Sequence, residues 1–167
     1  AAILVTSDKC YENAEWLWGY RENDRLGGKD PYSASKACAE LISKAYMESF
    51  FKEKGPNIAT ARAGNVIGGG DWAFDRIIPD CIRAWSEKKS AAIRNPNATR
   101  PWQHVLEPLS GYLTLGQKLY SENSVCKNQS FNFGPQAKVN QSVGDLITEI
   151  AQYWEGAEWQ FQQSSDP

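Results

Sequence analysis

The chain opens on a short apolar run, Ile3 to Thr6, the pattern of a buried strand. Positions 12–30 are polar, contain glycine and show no period, which predicts a loop. A helix is predicted over PYSASKACAELISKAYMESFFKEKG, where Ala37, Leu41, Ala45 and Tyr46 recur near helical spacing, Pro31 stands at the start and Gly55 at the stop. NIATARA, 57–63, reads as a second strand, and GNVIGGGDW, 64–72, as a glycine-rich loop. FDRIIPDCIRAWSEKK, 74–89, has a helical pattern interrupted or entered at Pro79. A short strand, SAAIR, a turn-like NPNAT and the segment RPWQHVL follow, and then a helix over 108–122 with Pro108 near its start. SFNFG is a strand, 142–156 a helix and EWQFQ a last strand. Strands alternating with helices predict an α/β fold with parallel pairing.

Composition changes this picture little. The 167 residues suffice for a sizeable core, and 41% apolar with 23% charged content is ordinary for a globular chain. A net charge of −2 predicts no attraction to nucleic acid or to an anionic membrane surface. Cys10, Cys38, Cys81 and Cys126 form no C-x-x-C pair, and His104 is the one histidine, so no metal ligand spacing exists. The thiols read as small apolar residues of a reduced, cytoplasmic protein. No run reaches membrane-span length, and no signal peptide precedes the first strand. The chain starts at Ala1 and runs straight into a strand, so a fragment of a longer protein is expected.

The candidate chemistry lies at the end of the first strand and the start of the long helix. Tyr32 and Lys36 stand four apart, which puts them on one helix face with Cβ atoms roughly 6 Å from each other. An ammonium beside a phenol favours the phenolate, as a tyrosine base working near neutral pH requires. A lone Y-x-x-x-K also occurs on solvated helix faces. Here Ser7 closes the strand upstream, where its hydroxyl can bond the same substrate hydroxyl. Ser33, Ala34, Ser35 and Ala37 are small and leave room for a cofactor beside the helix. The loop 64–72 is neither G-x-G-x-x-G nor a P-loop, since no Lys-Ser/Thr follows Gly70.

VTSDKCY followed by YSASKACAE resembles the extended short-chain dehydrogenase/reductase family, and within it the sugar-nucleotide 4,6-dehydratases. RAGNVIGGGDW, DRIIPD and RPWQHVLEPLSGYL extend the resemblance along essentially the whole chain. It implies the later part of a Rossmann-like parallel sheet over 1–66. Residues 67–167 are then mainly a smaller substrate-binding domain, with segments returning to the sheet. NAD is the implied cofactor, contacted by Ser7, Tyr32 and Lys36; the glycine fingerprint is not in this chain, so the isolated chain is expected to hold NAD poorly. Tyr32 takes the proton of the hexose 4-hydroxyl while hydride leaves C4, Lys36 bonds the nicotinamide ribose, and Ser7 orients the hydroxyl. The 4-keto group acidifies C5, water is lost across C5 and C6, and hydride returns to C6. Asp8 is the acid for the 6-hydroxyl. Lys9 stands where related enzymes carry Glu; it is either the C5 base or a group that positions Asp8 or the cofactor.

Asn65, Arg76 and Arg100 are the implied substrate contacts, the two arginines for the pyrophosphate, where a planar fork suits phosphate oxygens. Trp72 and Trp102 are candidate walls of the nucleotide site, although an aromatic serves as readily in the core. Arg62, on a strand, is expected to anchor a loop, and His104 to be structural. A nucleotide-sugar partner, CDP-glucose, is implied, in a homodimer or homotetramer that relatives build through helices including the one with Tyr32. The implied setting is deoxysugar supply for bacterial surface polysaccharide such as O-antigen. A related 4,6-dehydratase or 4-epimerase using another nucleotide, and a non-catalytic sugar-nucleotide binder, are the competing readings.

Overall fold

A computed structural model describes residues 1–121, 124–136 and 141–163. The strands are β1 (Ala2–Val5), β2 (Ile58–Ala63), β3 (Val66–Ile67), β4 (Ala91–Ile93), β5 (Thr99–Arg100), β6 (Gln103–His104), β7 (Ser130–Phe133), β8 (Gln141–Ser142) and β9 (Trp159–Phe161). The helices are α1 (Pro31–Phe50), α2 (Ile77–Ser86), α3 (Leu106–Leu119) and α4 (Val143–Ala151). The chain divides into two units, one of Ala1–Val66 with Gln103–Gly134, the other of Ile67–Trp102 with Pro135–Pro167.

The first unit is built on a parallel three-stranded sheet in the order β1-β2-β7. Ala2 pairs with Ile58 and Thr60 with Ser130, so the strands run in register. Parallel neighbours need a crossover, and α1 supplies the one between β1 and β2. β2 is the middle strand and is buried along nearly its whole length, which suits its small residues. Its alternate residues serve opposite faces. Ala59 packs with Leu115 and Leu119 of α3 and with Ile3, Phe131 and Phe133. Thr60 and Arg62 point the other way, toward Glu40 of α1. α3 lies close on the sheet because Gly111 has no side chain; a Cβ there would stand 2.2 Å from the Phe133 ring.

The second unit pairs β4 with β9 in parallel, and β5 with β8 in antiparallel register. Cys81 and Trp85 of α2, Ala91 and Ile93 of β4, and Val143 and Ile147 of α4 form its core. α4 begins with a capping box between Ser142 and Asp145.

The elements follow the hydrophobic pattern with informative departures. α1 ends at Phe50, before Gly55, whose φ of +126° marks the later turn of the chain and not the helix stop. Pro79 and Pro108 occupy the third position of α2 and α3, where a missing N–H breaks no bond, so Pro79 enters its helix and does not interrupt it. Val66 and Ile67 form a short strand inside the predicted glycine-rich loop. Residue 122, the end of one predicted helix, lies outside the described residues. Of the apolar residues that recur near helical spacing in α1, Ala37 is buried whereas Leu41 and Tyr46 are 55% and 54% exposed; the buried stripe is Ser33, Ala37, Glu40 and Met47. Among the described residues no helix is long and apolar enough to cross a membrane.

Candidate active site

Ser7 stands where β1 stops. The amide of Thr6 still donates to the Ala61 carbonyl at 2.9 Å, continuing the ladder. Ser7 then caps a short 3-10 turn, Asp8–Cys10: its Oγ accepts the Lys9 amide and donates to Asp8 Oδ1, both at 3.2 Å. Ser7 is buried, Asp8 half-buried and Lys9 exposed. This is the carboxyl end of a parallel strand, the edge at which open α/β sheets bind ligands.

α1 begins with Asp30, which accepts the Ser33 amide at 3.0 Å and the Ser33 hydroxyl at 2.6 Å, followed by Pro31 in the first turn. Those Ser33 bonds hold the Asp30 carboxyl below its usual range, with a smaller contribution from the charge of Lys9. The loop entering α1 passes so close that a Cβ on Gly28 would stand 2.3 Å from Ser33 Cβ. Tyr32 is 57% exposed, and Lys36 Nζ lies 5.7 Å from the centre of its ring. The turn after β1 packs on α1, so Ser7, Asp8 and Lys9 belong to the same part of the first unit as the helix that bears Tyr32 and Lys36.

Asn65 follows β2 at the same edge of the sheet. Its carbonyl accepts the Gln103 amide at 3.0 Å, and Gln103 Nε2 donates to the Phe133 carbonyl at 2.9 Å, tying the ends of β2 and β7 together. Arg76 and Arg100 belong to the second unit. Arg76 is exposed at the cap of α2, without a side-chain capping bond. Arg100 is half-buried in β5 and donates to the Thr99 carbonyl at 2.7 Å. Trp72 is 61% exposed, whereas Trp102 packs against the core of its unit. His104 has a partner that sequence could not reveal: its Nδ1 accepts the Leu106 amide at 3.2 Å at the start of α3.

Sequence reasoning missed a buried polar network beside this site. Glu40, 2% exposed, accepts Arg62 Nη2 at 2.7 Å and Thr60 Oγ1 at 2.9 Å on Oε2, and the Thr6 hydroxyl on Oε1. Arg62 Nη1 donates to Tyr11 Oη at 2.7 Å and to the Glu22 carbonyl at 2.9 Å, so it does anchor the 12–30 loop. Tyr11 donates to Asn132 at 2.6 Å and stacks on Tyr20. Burial pushes the Glu40 carboxyl up, but the Arg62 and Thr6 hydrogen bonds and the Arg62 charge outweigh it and hold the carboxyl below its usual range. Burial also raises the Tyr11 phenol, against the opposing pull of Arg62. The available signals were Glu40 one turn beyond Lys36 and an arginine inside an otherwise small, apolar strand.

Residues 3–134 match the NAD dependent epimerase/dehydratase family. The chain belongs to that family. A CDP-glucose 4,6-dehydratase of Salmonella typhimurium (strain LT2) is 49% identical over 165 residues, which are 95% of this chain and 46% of that protein. The chain therefore spans about half the length of this relative. Among solved structures, a dTDP-glucose 4,6-dehydratase from Bacillus anthracis in complex with NAD matches with a TM-score of 0.80 and 20% identity, over 98% of this chain and 50% of that one. A UDP-glucuronic acid 4-epimerase from Bacillus cereus, in complex with UDP-glucuronic acid and NAD, matches at 0.78 and 19%, over 97% and 48%. At such identity these structures speak for the fold: a Rossmann-like parallel sheet.

Proposed function

We propose that this chain is the catalytic part of an NAD-dependent CDP-glucose 4,6-dehydratase. The observation that carries the reading is the pairing of an exposed Tyr32 and its neighbour Lys36 on α1 with a Ser7-Asp8-Lys9 turn packed on that helix at the carboxyl end of β1. The 49% identity to a dehydratase of that specificity supports CDP-glucose over other nucleotide sugars. The donor types suit a dinucleotide: a hydroxyl from Ser7 at the strand end, and the phenol of Tyr32 and ammonium of Lys36 among small residues of the helix that packs on the following turn. When bound, NAD would accept hydride from C4 of the hexose and return it to C6.

The residues divide the remaining work. Tyr32 removes the proton of the 4-hydroxyl while Ser7 holds that hydroxyl by a hydrogen bond. Lys36 would bond the nicotinamide ribose, with its ammonium 5.7 Å from the centre of the Tyr32 ring. Asp8 protonates the departing 6-hydroxyl. Lys9 takes the C5 proton or orients Asp8. Asn65 lies on the sugar side, and Arg76 and Arg100 pair with the pyrophosphate. A second copy, in a homodimer or homotetramer, covers the exposed apolar face of α1, and the enzyme works in the cytoplasm, supplying a 4-keto-6-deoxy sugar for surface polysaccharide.

Two measurements test this. Full-length enzyme incubated with CDP-glucose should yield a product lighter by one water and carrying a 4-keto group. Tyr32→Phe should lower turnover by about 10²–10⁴-fold while sparing nucleotide-sugar binding. A product of unchanged mass, epimeric at C4, would favour the epimerase reading, which needs Tyr32 and Lys36 but neither Asp8 nor Lys9. Binding without turnover in the wild type would favour a non-catalytic protein.

A further inference from the structure

The polar groups that this chemistry leaves unused converge on one carboxylate. Glu40 takes donors from Thr6 at the end of β1, from Thr60 and Arg62 on β2, and a longer contact, 3.4 Å, from Ser130 on β7. Ser130 is itself bonded to Thr60 and Arg62, at 2.8 and 3.0 Å. All three strands of the sheet thus meet a single side chain of α1. A buried carboxylate whose lone pairs are filled by several strong donors has little freedom to reorient. Glu40 lies one turn beyond Lys36 and two beyond Tyr32, and its Oε1 partner, Thr6, is the residue next to Ser7. The Thr6 hydroxyl also reaches the Ala61 carbonyl at 3.4 Å.

We propose that Glu40 is a positioning residue: through Thr6 it locks the end of β1 onto α1 and so fixes where Ser7 stands relative to Tyr32 and Lys36. The proposal rests on the roles given to those three residues above. Its force comes from the steepness of catalysis with distance, since a displacement near 1 Å costs on the order of 10²-fold.

Thr6 allows a mild test in the full-length enzyme. Thr6→Val removes the hydroxyl at similar shape and leaves the Glu40–Arg62 pair in place. The expected result is a kcat lower by roughly 10- to 100-fold with KM within about twofold. Thr6→Ser, which keeps the hydroxyl, should recover most of the loss. In a Ser7→Ala background Thr6→Val should cost little more, because both act on the same group. Unchanged kcat in Thr6→Val, or an equal fractional loss with and without Ser7, would overturn the proposal. Amide hydrogen exchange on substrate-free protein supplies an arm that needs no turnover: peptides spanning residues 6–11 should exchange faster in Thr6→Val, and unchanged exchange would also overturn it. A wild type inert toward CDP-glucose would defeat the proposed function alone, and the exchange arm would then decide the clamp.

Discussion

The Cys10 thiol is fully buried, and burial is the main reason it is pushed up to about 11, with the charge of Arg62 pulling the other way. Little thiolate exists there near neutral pH, and a thiol reagent has no path to it. Cys38, exposed on α1, should therefore react first with a thiol reagent, and Cys10 only on unfolding; timed labelling followed by peptide mass spectrometry checks the order. The Glu40–Arg62 pair makes a stronger claim. Both side chains are almost wholly buried, so Glu40→Gln leaves a charged guanidinium without its counterion and should cost about 3–5 kcal/mol. The sign with pH follows from the depressed Glu40 carboxyl. Its contribution is fully present above the ordinary glutamate value, about 4.3, and is lost as pH falls through the lower folded value. Denaturant melts should show the gap between wild type and Glu40→Gln wide at neutral pH and closing under acid; a gap constant with pH would mean the pair is not ionised as described.

At the scale of elements, α1 shows what a hydrophobic pattern reveals and what it hides. Its existence and start were legible, because Pro31 and the periodic residues are local signals. Its inward face was not. The sheet offers α1 the hydroxyl of Thr60 and the guanidinium of Arg62, and the helix answers with the Glu40 carboxylate on a buried stripe shared with Ser33 and Ala37, while its larger apolar residues Leu41, Ile42 and Tyr46 stand on the exposed side. Partners 20 to 90 positions apart, such as Thr60 and Ser130 with Glu40, leave no periodic trace. The places of Ser7 after β1 and of Tyr32 and Lys36 in the first turns of α1 were legible for the opposite reason, since a strand end and a four-residue spacing are written locally. The exposed face carries a prediction. If a second copy covers it, as proposed above, Leu41→Lys with Tyr46→Glu should turn the full-length enzyme monomeric by light scattering without loss of helix content. α3 carries another. Gly111→Ala forces a methyl into the Phe133 ring, already packed edge-on against Tyr112, and should destabilise by about 1–3 kcal/mol. Gly69→Ala, with open space around it, should stay within about 0.5 kcal/mol in the same thermal melts.

At the scale of the whole molecule, the question is whether the first unit's chemistry runs as elimination or stops at epimerisation. In the proposed mechanism both begin alike, with Tyr32 and Ser7 at the 4-hydroxyl, so neither a Tyr32 variant nor the fold distinguishes them. They differ in the destination of the hydrogen on C4. An epimerase returns it to C4 on the other face. A dehydratase delivers it to C6, and a solvent hydrogen replaces the one lost from C5. CDP-glucose deuterated at C4 should therefore give a product with the label on C6, and unlabelled substrate in heavy water should take up deuterium at C5. The Asp8–Lys9 step makes the experiment specific to this chain. Asp8→Asn should still let C4 be oxidised but should slow departure of the 6-hydroxyl, so turnover falls while exchange of the C5 hydrogen with solvent persists. Lys9→Met separates the two roles open to Lys9: loss of C5 exchange makes Lys9 the base, whereas retained exchange with slow water loss makes it the group that orients Asp8. Label remaining on C4 in the wild-type product would remove the need for either residue and return the chain to the epimerase side of its family.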